Sequence, residues 1–448
     1  MTMWRLLVCV VALCVPFGAL AGQVSRDRYG GITSIKGDAT GVFHTQQVDG
    51  RWWLVTPDGH GFYSKGVNHV SYVADAIRGT RRRPYHEACR AKYGTHDAFA
   101  KAAVARLWGW GFNTLGAWTN RELNRLRTMP YAPVLNLMAS VRRGAWLKGL
   151  TPDVFDPAFE RAVRARAARE LARLKDDPWC IGVFTDNELS WGPDWRTTST
   201  LLERAMALPS GAPGKVVAVK VLKARYAADP RRFETLYGLP PGSYQAMADL
   251  KALPQVRTPE ALADERAYQA PFAHRYFQVC HDAIRAVAPR CLILGCRFAY
   301  DAPEAVVAAS KGLVDVFSIN FYAYHPGPKR LARYHKLSGA PVLVGEFGFR
   351  GRDSGLPNTK GAGPVVPTQA DRAACYERFV RELAALPYTV GFGWFEHADE
   401  PAEGRFDGED SNYGLVTIRD EPYKVLVEHM TKVNAQLEAW HAASKPSP

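Results

Sequence analysis

Two glutamates close apolar runs that lie far apart in the chain. Glu188 ends Ile181-Gly182-Val183-Phe184-Thr185-Asp186-Asn187-Glu188, and Glu346 lies in Val342-Leu343-Val344-Gly345-Glu346-Phe347-Gly348. Each run has the length and apolar character of a buried strand, so each acid falls where burial ends and a cleft begins. Two carboxylates meeting across a cleft can break a glycosidic bond, one protonating the leaving oxygen and the other attacking the sugar carbon. Asn187, beside the first acid, offers an amide to a sugar hydroxyl next to the reacting carbon.

Such a pair needs a scaffold that brings distant strand ends together. Eight strand-like runs recur at 61–68, 112–118, 132–138, 180–187, 291–298, 314–322, 341–347 and 389–395, with amphipathic helical stretches between them. Runs that are apolar almost throughout suit a parallel sheet buried on both faces. Eight strand–helix units predict an α/β fold, a (β/α)8 TIM barrel over residues 61–440, whose site lies at the C-terminal strand ends. A doubly wound sheet is disfavoured, because Gly59-His60-Gly61-Phe62-Tyr63-Ser64 lacks the third glycine of a dinucleotide fingerprint and precedes its strand. Residues 22–60 read as a short N-terminal β-hairpin segment, with the turn Thr56-Pro57-Asp58-Gly59 after Arg51-Trp52-Trp53-Leu54-Val55. Residues 191–270 read as a long helical insertion after strand four, on the same face as Glu188.

Residues 1–21 have the pattern of a secretory signal peptide: Arg5, an apolar stretch from Leu6 to Phe17, and Ala19-Leu20-Ala21 before Gly22. The expected location is secreted or periplasmic, with no membrane association after cleavage. Of the remaining cysteines, Cys89, Cys180, Cys280, Cys291, Cys296 and Cys375 show no zinc-ligand spacing and read as mostly buried thiols, with room for one bridge. The net charge of +13 fits an anionic partner such as a sulfated polysaccharide, or simple surface basicity. Scattered arginines such as Arg161, Arg164 and Arg169 argue against a nucleic-acid partner. No cofactor and no metal is predicted; the acidic stretch 399–410 lacks EF-hand spacing and reads as a solvated active-site loop.

Asn68 and His69 end strand one and Arg297 ends strand five, so all three should face the mouth as sugar ligands or their supports. Trp191, Trp195 and Trp394 can offer an aromatic face to a pyranose ring.

Several stretches resemble a known family. An Asn-Glu pair ending strand four and a Glu ending strand seven is the arrangement of clan A retaining glycoside hydrolases. Phe184–Gly192, Gly295–Ala299, Gly345–Phe349 and Trp394–Leu415 are similar to the agarase-type enzymes of glycoside hydrolase family 50. The resemblance runs from about residue 50 to about residue 430. It implies Glu188 as general acid/base, Glu346 as nucleophile, Tyr322 as a hydrogen-bond partner of the nucleophile and Trp394 as the floor beneath the sugar. One departure is that about 40 residues stand before the first strand, where that family usually carries a β-sandwich module. The expected substrate is a β-linked carbohydrate. A β-galactosidase or β-mannanase of the same clan and a catalytically inactive carbohydrate-binding barrel stay open, as does oligomeric state. A metal-dependent barrel hydrolase is disfavoured by Asn68-His69 in place of His-x-His.

Overall fold

The computed structural model describes residues 24–142 and 144–446; residues 1–21, read from sequence as a signal peptide, lie outside them. Parallel strands Ser64–Val67, Thr114–Leu115, Gly182–Val183, Leu292–Ile293, Phe317–Asn320, Val342–Phe347 and Thr389–Trp394 carry the fold. A third run, at 131–134, joins by isolated parallel bridges from Tyr131 to Leu115 and Cys180, and from Val134 to Phe184. Backbone bonding continues from Ile293 to Val316, and from Thr389–Trp394 back to Ser64–Val67, so the eight runs close on themselves. The last two strands are buried along their whole length, as a sheet covered on both faces requires.

Helices fill the connections where the sequence supplies their start signals. Asp156 caps Pro157–Leu171 and Thr258 caps Pro259–Val287, each with proline in the first turn, and Thr368 with Asp371 forms a capping box on Gln369–Ala384. Between strands four and five lie Leu201–Met206, Pro213–Arg225 and Pro230–Leu236, and then the 29-residue helix Pro259–Val287. That helix continues through Pro271, so the expected end of the insertion at 270 falls inside a helix. Its apolar face, including Phe272, Tyr276, Phe277 and Ile284, is buried and outweighs one lost backbone bond. No helix among the described residues is long and apolar enough to cross a membrane.

The N-terminal segment is more than a hairpin. Ile32–Lys36, His44–Val48, Arg51–Val55 and His60–Phe62 form a four-stranded antiparallel sheet. Gly61 and Phe62, read from sequence as the start of the first barrel strand, belong to this sheet instead. Its Phe43, Leu54 and Phe62, with Tyr29, pack against Ile181, Leu292, Val316, Leu343 and Val390 from the beginnings of the barrel strands. The sheet therefore closes the lower end of the barrel. Cys89, Cys180, Cys280, Cys291, Cys296 and Cys375 are all buried and unbridged.

Candidate active site

At the opposite end, the first five strand runs each finish in a non-glycine residue with left-handed backbone: His69 (φ 55°), Trp118 (φ 65°), Asn136 (φ 54°), Glu188 (φ 48°) and Arg297 (φ 48°). This conformation costs on the order of 1–2 kcal/mol for an L-residue. Five such positions around one rim mark a surface built for side-chain placement rather than for backbone comfort. His69, Trp118, Asn136 and Glu188 line a single cavity of about 1170 Å³, together with Asn187, Tyr322 and Glu346.

A bulge sets the position of Glu346. Ile319 pairs with Val344 and Asn320 with Glu346, which leaves Gly345 as the extra residue. A Cβ on Gly345 would lie 2.8 Å from Asn320 Oδ1 and 3.0 Å from Arg297 Nε, so glycine is required by close approach. Arg297 Nη2 then stands 2.8 Å from Glu346 Oε1, the Tyr322 hydroxyl donates to Oε2 at 2.8 Å, and Trp118 Nε1 reaches Oε1 at 3.4 Å.

Glu188 is held differently. Its backbone N–H donates to the Arg297 carbonyl at 3.0 Å, and its Oε1 accepts from Asn320 Nδ2 at 3.0 Å. The same amide reaches Asn187 Oδ1 at 3.1 Å. Burial, and after it the charge of Glu346, push the Glu188 carboxyl up to about 7; the Asn320 amide opposes this. The preceding Asp186 is structural: its carboxylate accepts the backbone N–H groups of Met138 and Ala139 and the Tyr276 hydroxyl.

Of the residues singled out from sequence, Asn187, Glu188, Trp195, Tyr322, Glu346 and His69 meet at the cavity. Asn68 and Arg297 lie behind it, both buried and both donating to the Gly345 carbonyl at 2.9 Å. They support the bulge rather than face a sugar.

Two tryptophans are elsewhere. Trp394 has no exposed surface; it shares the helix-facing side of its strand with Phe392, packs on Phe347 and Tyr376, and donates to the Tyr413 carbonyl at 3.0 Å. It is core, not the floor of the site. Trp191 is buried among Phe272, Tyr276, Phe277 and Phe298. The aromatic walls are Trp195, as expected, with Trp118, Trp146 and Phe395. Trp195 is 64% exposed, with the Arg196 guanidinium 4.2 Å from its ring and 4.8 Å from that of Trp146. Arg196 also donates to the Glu188 carbonyl at 2.8 Å, which ties this wall to the acid.

The stretch 399–410 is not a solvated loop throughout. Glu400 and Asp410 are buried, and Arg405 gathers Glu400 at 3.2 Å, Asp407 at 3.0 Å and Glu409 at 2.6 Å. Glu396, missed in sequence, is buried and hydrogen-bonded to His69 Nδ1, with Asp75 3.6 Å from the same nitrogen. His69, Asp75 and Glu396 are a metal-type donor group, yet Arg405 stands 3.9 Å from both carboxylates and supplies the positive charge there. Nothing local in the sequence marks Asp75.

No protein-family profile matches the chain. It is 28% identical to Beta-agarase B of Vibrio sp. (strain JT0107) over 91% of its own length and 50% of that protein's. An exo-beta-agarase structure superposes with a TM-score of 0.80 at 26% identity, over 94% of this chain and 68% of that one. The structure of PfGH50B superposes at 0.81 with 25% identity, over 93% and 69% of the two chains. The chain is similar to the family 50 agarases. The likeness to these family 50 structures extends over the parallel α/β architecture and nearly all of the chain. The chain spans about half the length of the curated relatives it matches.

Proposed function

We propose that the chain is an exported retaining glycoside hydrolase of agarase type, cleaving β-glycosidic bonds in a galactose-containing polysaccharide or oligosaccharide. One observation carries the reading: two carboxylates share a cavity in unequal surroundings. Glu188 receives one amide hydrogen bond and is pushed up to about 7, whereas a guanidinium, a phenol and an indole N–H converge on Glu346.

Glu188 then begins the cycle protonated and gives its proton to the departing oxygen, while Glu346 attacks the anomeric carbon. Bond formation removes the charge of Glu346, so the repulsion that helps hold the proton on Glu188 is relieved. As a carboxylate, Glu188 takes a proton from water, and that water releases the sugar from Glu346. The Asn187 amide, its oxygen already engaged by Asn320, has donors left for the hydroxyl beside the reacting carbon. The closed eight-stranded barrel supplies the rim, and the segment after strand four supplies a wall through Trp195 and Arg196. Agar-type galactan enters as substrate through the names of the relatives; a β-galactosidase or β-mannanase specificity would use the same acids. The signal-like residues 1–21 support export, which N-terminal sequencing of secreted protein beginning at Gly22 would check.

The deciding experiment compares Glu188→Gln and Glu346→Gln on agar oligosaccharides and on an aryl glycoside with a good leaving group. Both variants should lose at least about 10²–10⁴-fold on the oligosaccharide. Only Glu188→Gln should still release the activated phenol, because that step needs no acid. Near-original rates in both variants would refute the assignment.

A further inference from the structure

The cavity carries two cations that the chemistry above does not use. Arg78 and Lys360 both line it, and both are exposed. A Cβ built on Gly408 would lie 3.1 Å from Arg78 Nη1 and 3.1 Å from Lys360 Nζ, so the two heads are neighbours across that glycine. Gly408 has φ +92°, a backbone that keeps the position free of a side chain.

The backbone that carries the pair is anchored: the Arg78 backbone N–H donates to the Gly404 carbonyl at 2.8 Å, and the Lys360 backbone N–H donates to Asp410 Oδ1 at 2.9 Å. Ser411 Oγ donates to the Lys360 carbonyl. The carboxylates flanking Gly408, on Asp407 and Glu409, turn to Arg405 instead. Among the described residues no carboxylate stands within 4.0 Å of either Arg78 or Lys360 as an ion-pair partner. Asp407 and Glu409 flank Gly408 but are engaged by Arg405, so an anion reaching both cations would add the direct partner that neither head has. A planar guanidinium beside an ammonium matches the several oxygens of a sulfate or carboxylate.

We propose that Arg78 and Lys360 form a subsite for an anionic substituent, a sulfate ester or a carboxylate, on the polysaccharide. The proposal rests on the glycoside hydrolase reading, because the pair opens into the same cavity as Glu188 and Glu346.

The test is calorimetric binding on the Glu346→Gln background, with galactan oligosaccharides of equal length that are sulfated, desulfated or carboxylated. A charged oligosaccharide should bind about tenfold more tightly than the neutral one at low salt, and added salt should shrink the gap. Arg78→Gln/Lys360→Gln should abolish the gap, with its thermal melt checking that it is folded. Whether sulfate or carboxylate carries the preference identifies the substituent. Equal affinity for charged and neutral ligands, no binding of any, or a preference that survives in the double variant would each overturn the subsite. The salt dependence of the unaltered pair gives an answer even if the double variant does not fold. Hydrolysis is not read here, so failure of the two-glutamate assignment would show separately.

Discussion

Asn320 donates its amide to Glu188 at 3.0 Å, and among the described residues this is the one hydrogen bond the Glu188 carboxyl receives. The same Asn320 pairs in register with Glu346 across the strand bulge. A single residue thus sets the spacing of both acids. The difference between them comes from what else arrives: Arg297, Tyr322 and Trp118 at Glu346, burial and repulsion at Glu188.

The first prediction concerns pH. With its carboxyl at about 7, Glu188 loses the proton it must donate as pH rises through that value. The kcat/KM profile should therefore fall on its alkaline side near pH 7. In Glu346→Gln the repelling charge is gone while burial persists, so Glu188 should release its proton at lower pH. A carboxyl ¹³C titration that does not move between the two forms would contradict this.

Stability should run against activity at the same residue. In the unfolded chain Glu188 titrates near 4.5, so between about 4.5 and 7 the native state holds a proton that the unfolded state has released. Stability then falls as pH rises through that window. Glu188→Gln cannot ionise, and should gain on the order of 1–3 kcal/mol at pH 8 but little at pH 4. Thermal melts of both proteins at the two pH values measure the difference; an equal gain at both would count against a charge origin.

Gly345→Ala tests the bulge. The added methyl group would press on Asn320 Oδ1 and Arg297 Nε, the supports of the two acids. It should lower kcat by at least about tenfold, with a smaller effect on KM, because misplacing reacting groups by a fraction of an ångström weakens the transition state most. Steady-state kinetics showing an unaltered kcat would mean the site tolerates the shift.

Trp195 should act on the length of substrate rather than on bond breaking. Its exposed face stands beside Arg196, which is tied to the Glu188 backbone, so it lies on the leaving-group side of the cleft. Trp195→Ala should raise KM for oligosaccharides by up to about tenfold, with most of the effect outside kcat. The same change seen on a short aryl glycoside would place its action elsewhere.

Much of this site was legible because parallel strands in α/β proteins announce themselves as apolar runs, and polar residues at their ends must face the rim. Glu188, Glu346, Asn187, His69 and Tyr322 were found in that way, or by the resemblance their motifs carry. The aromatic residues misled for a reason of phase. Gly391, at φ +146°, breaks the alternation of its strand, so Val390 faces the barrel interior while Phe392 and Trp394 face the helices. Trp191 was misread because the packing of Phe272, Tyr276 and Phe277 over it is a contact between segments far apart in the chain, which a helical reading of 272–287 does not record. Trp118, Asn136 and Asn320 were missed because left-handed strand ends and a register slip redirect side chains by non-local packing, which periodicity does not record. Asp75 and Glu396 meet only in three dimensions.

The plug of Tyr29, Phe43, Leu54 and Phe62 beneath the strands also bears on traffic. With the base of the cylinder filled by side chains, no glycan can be threaded through it from end to end. Reactant and cleaved fragments must share one doorway, so departure of the first fragment clears the path for the water that completes the turnover.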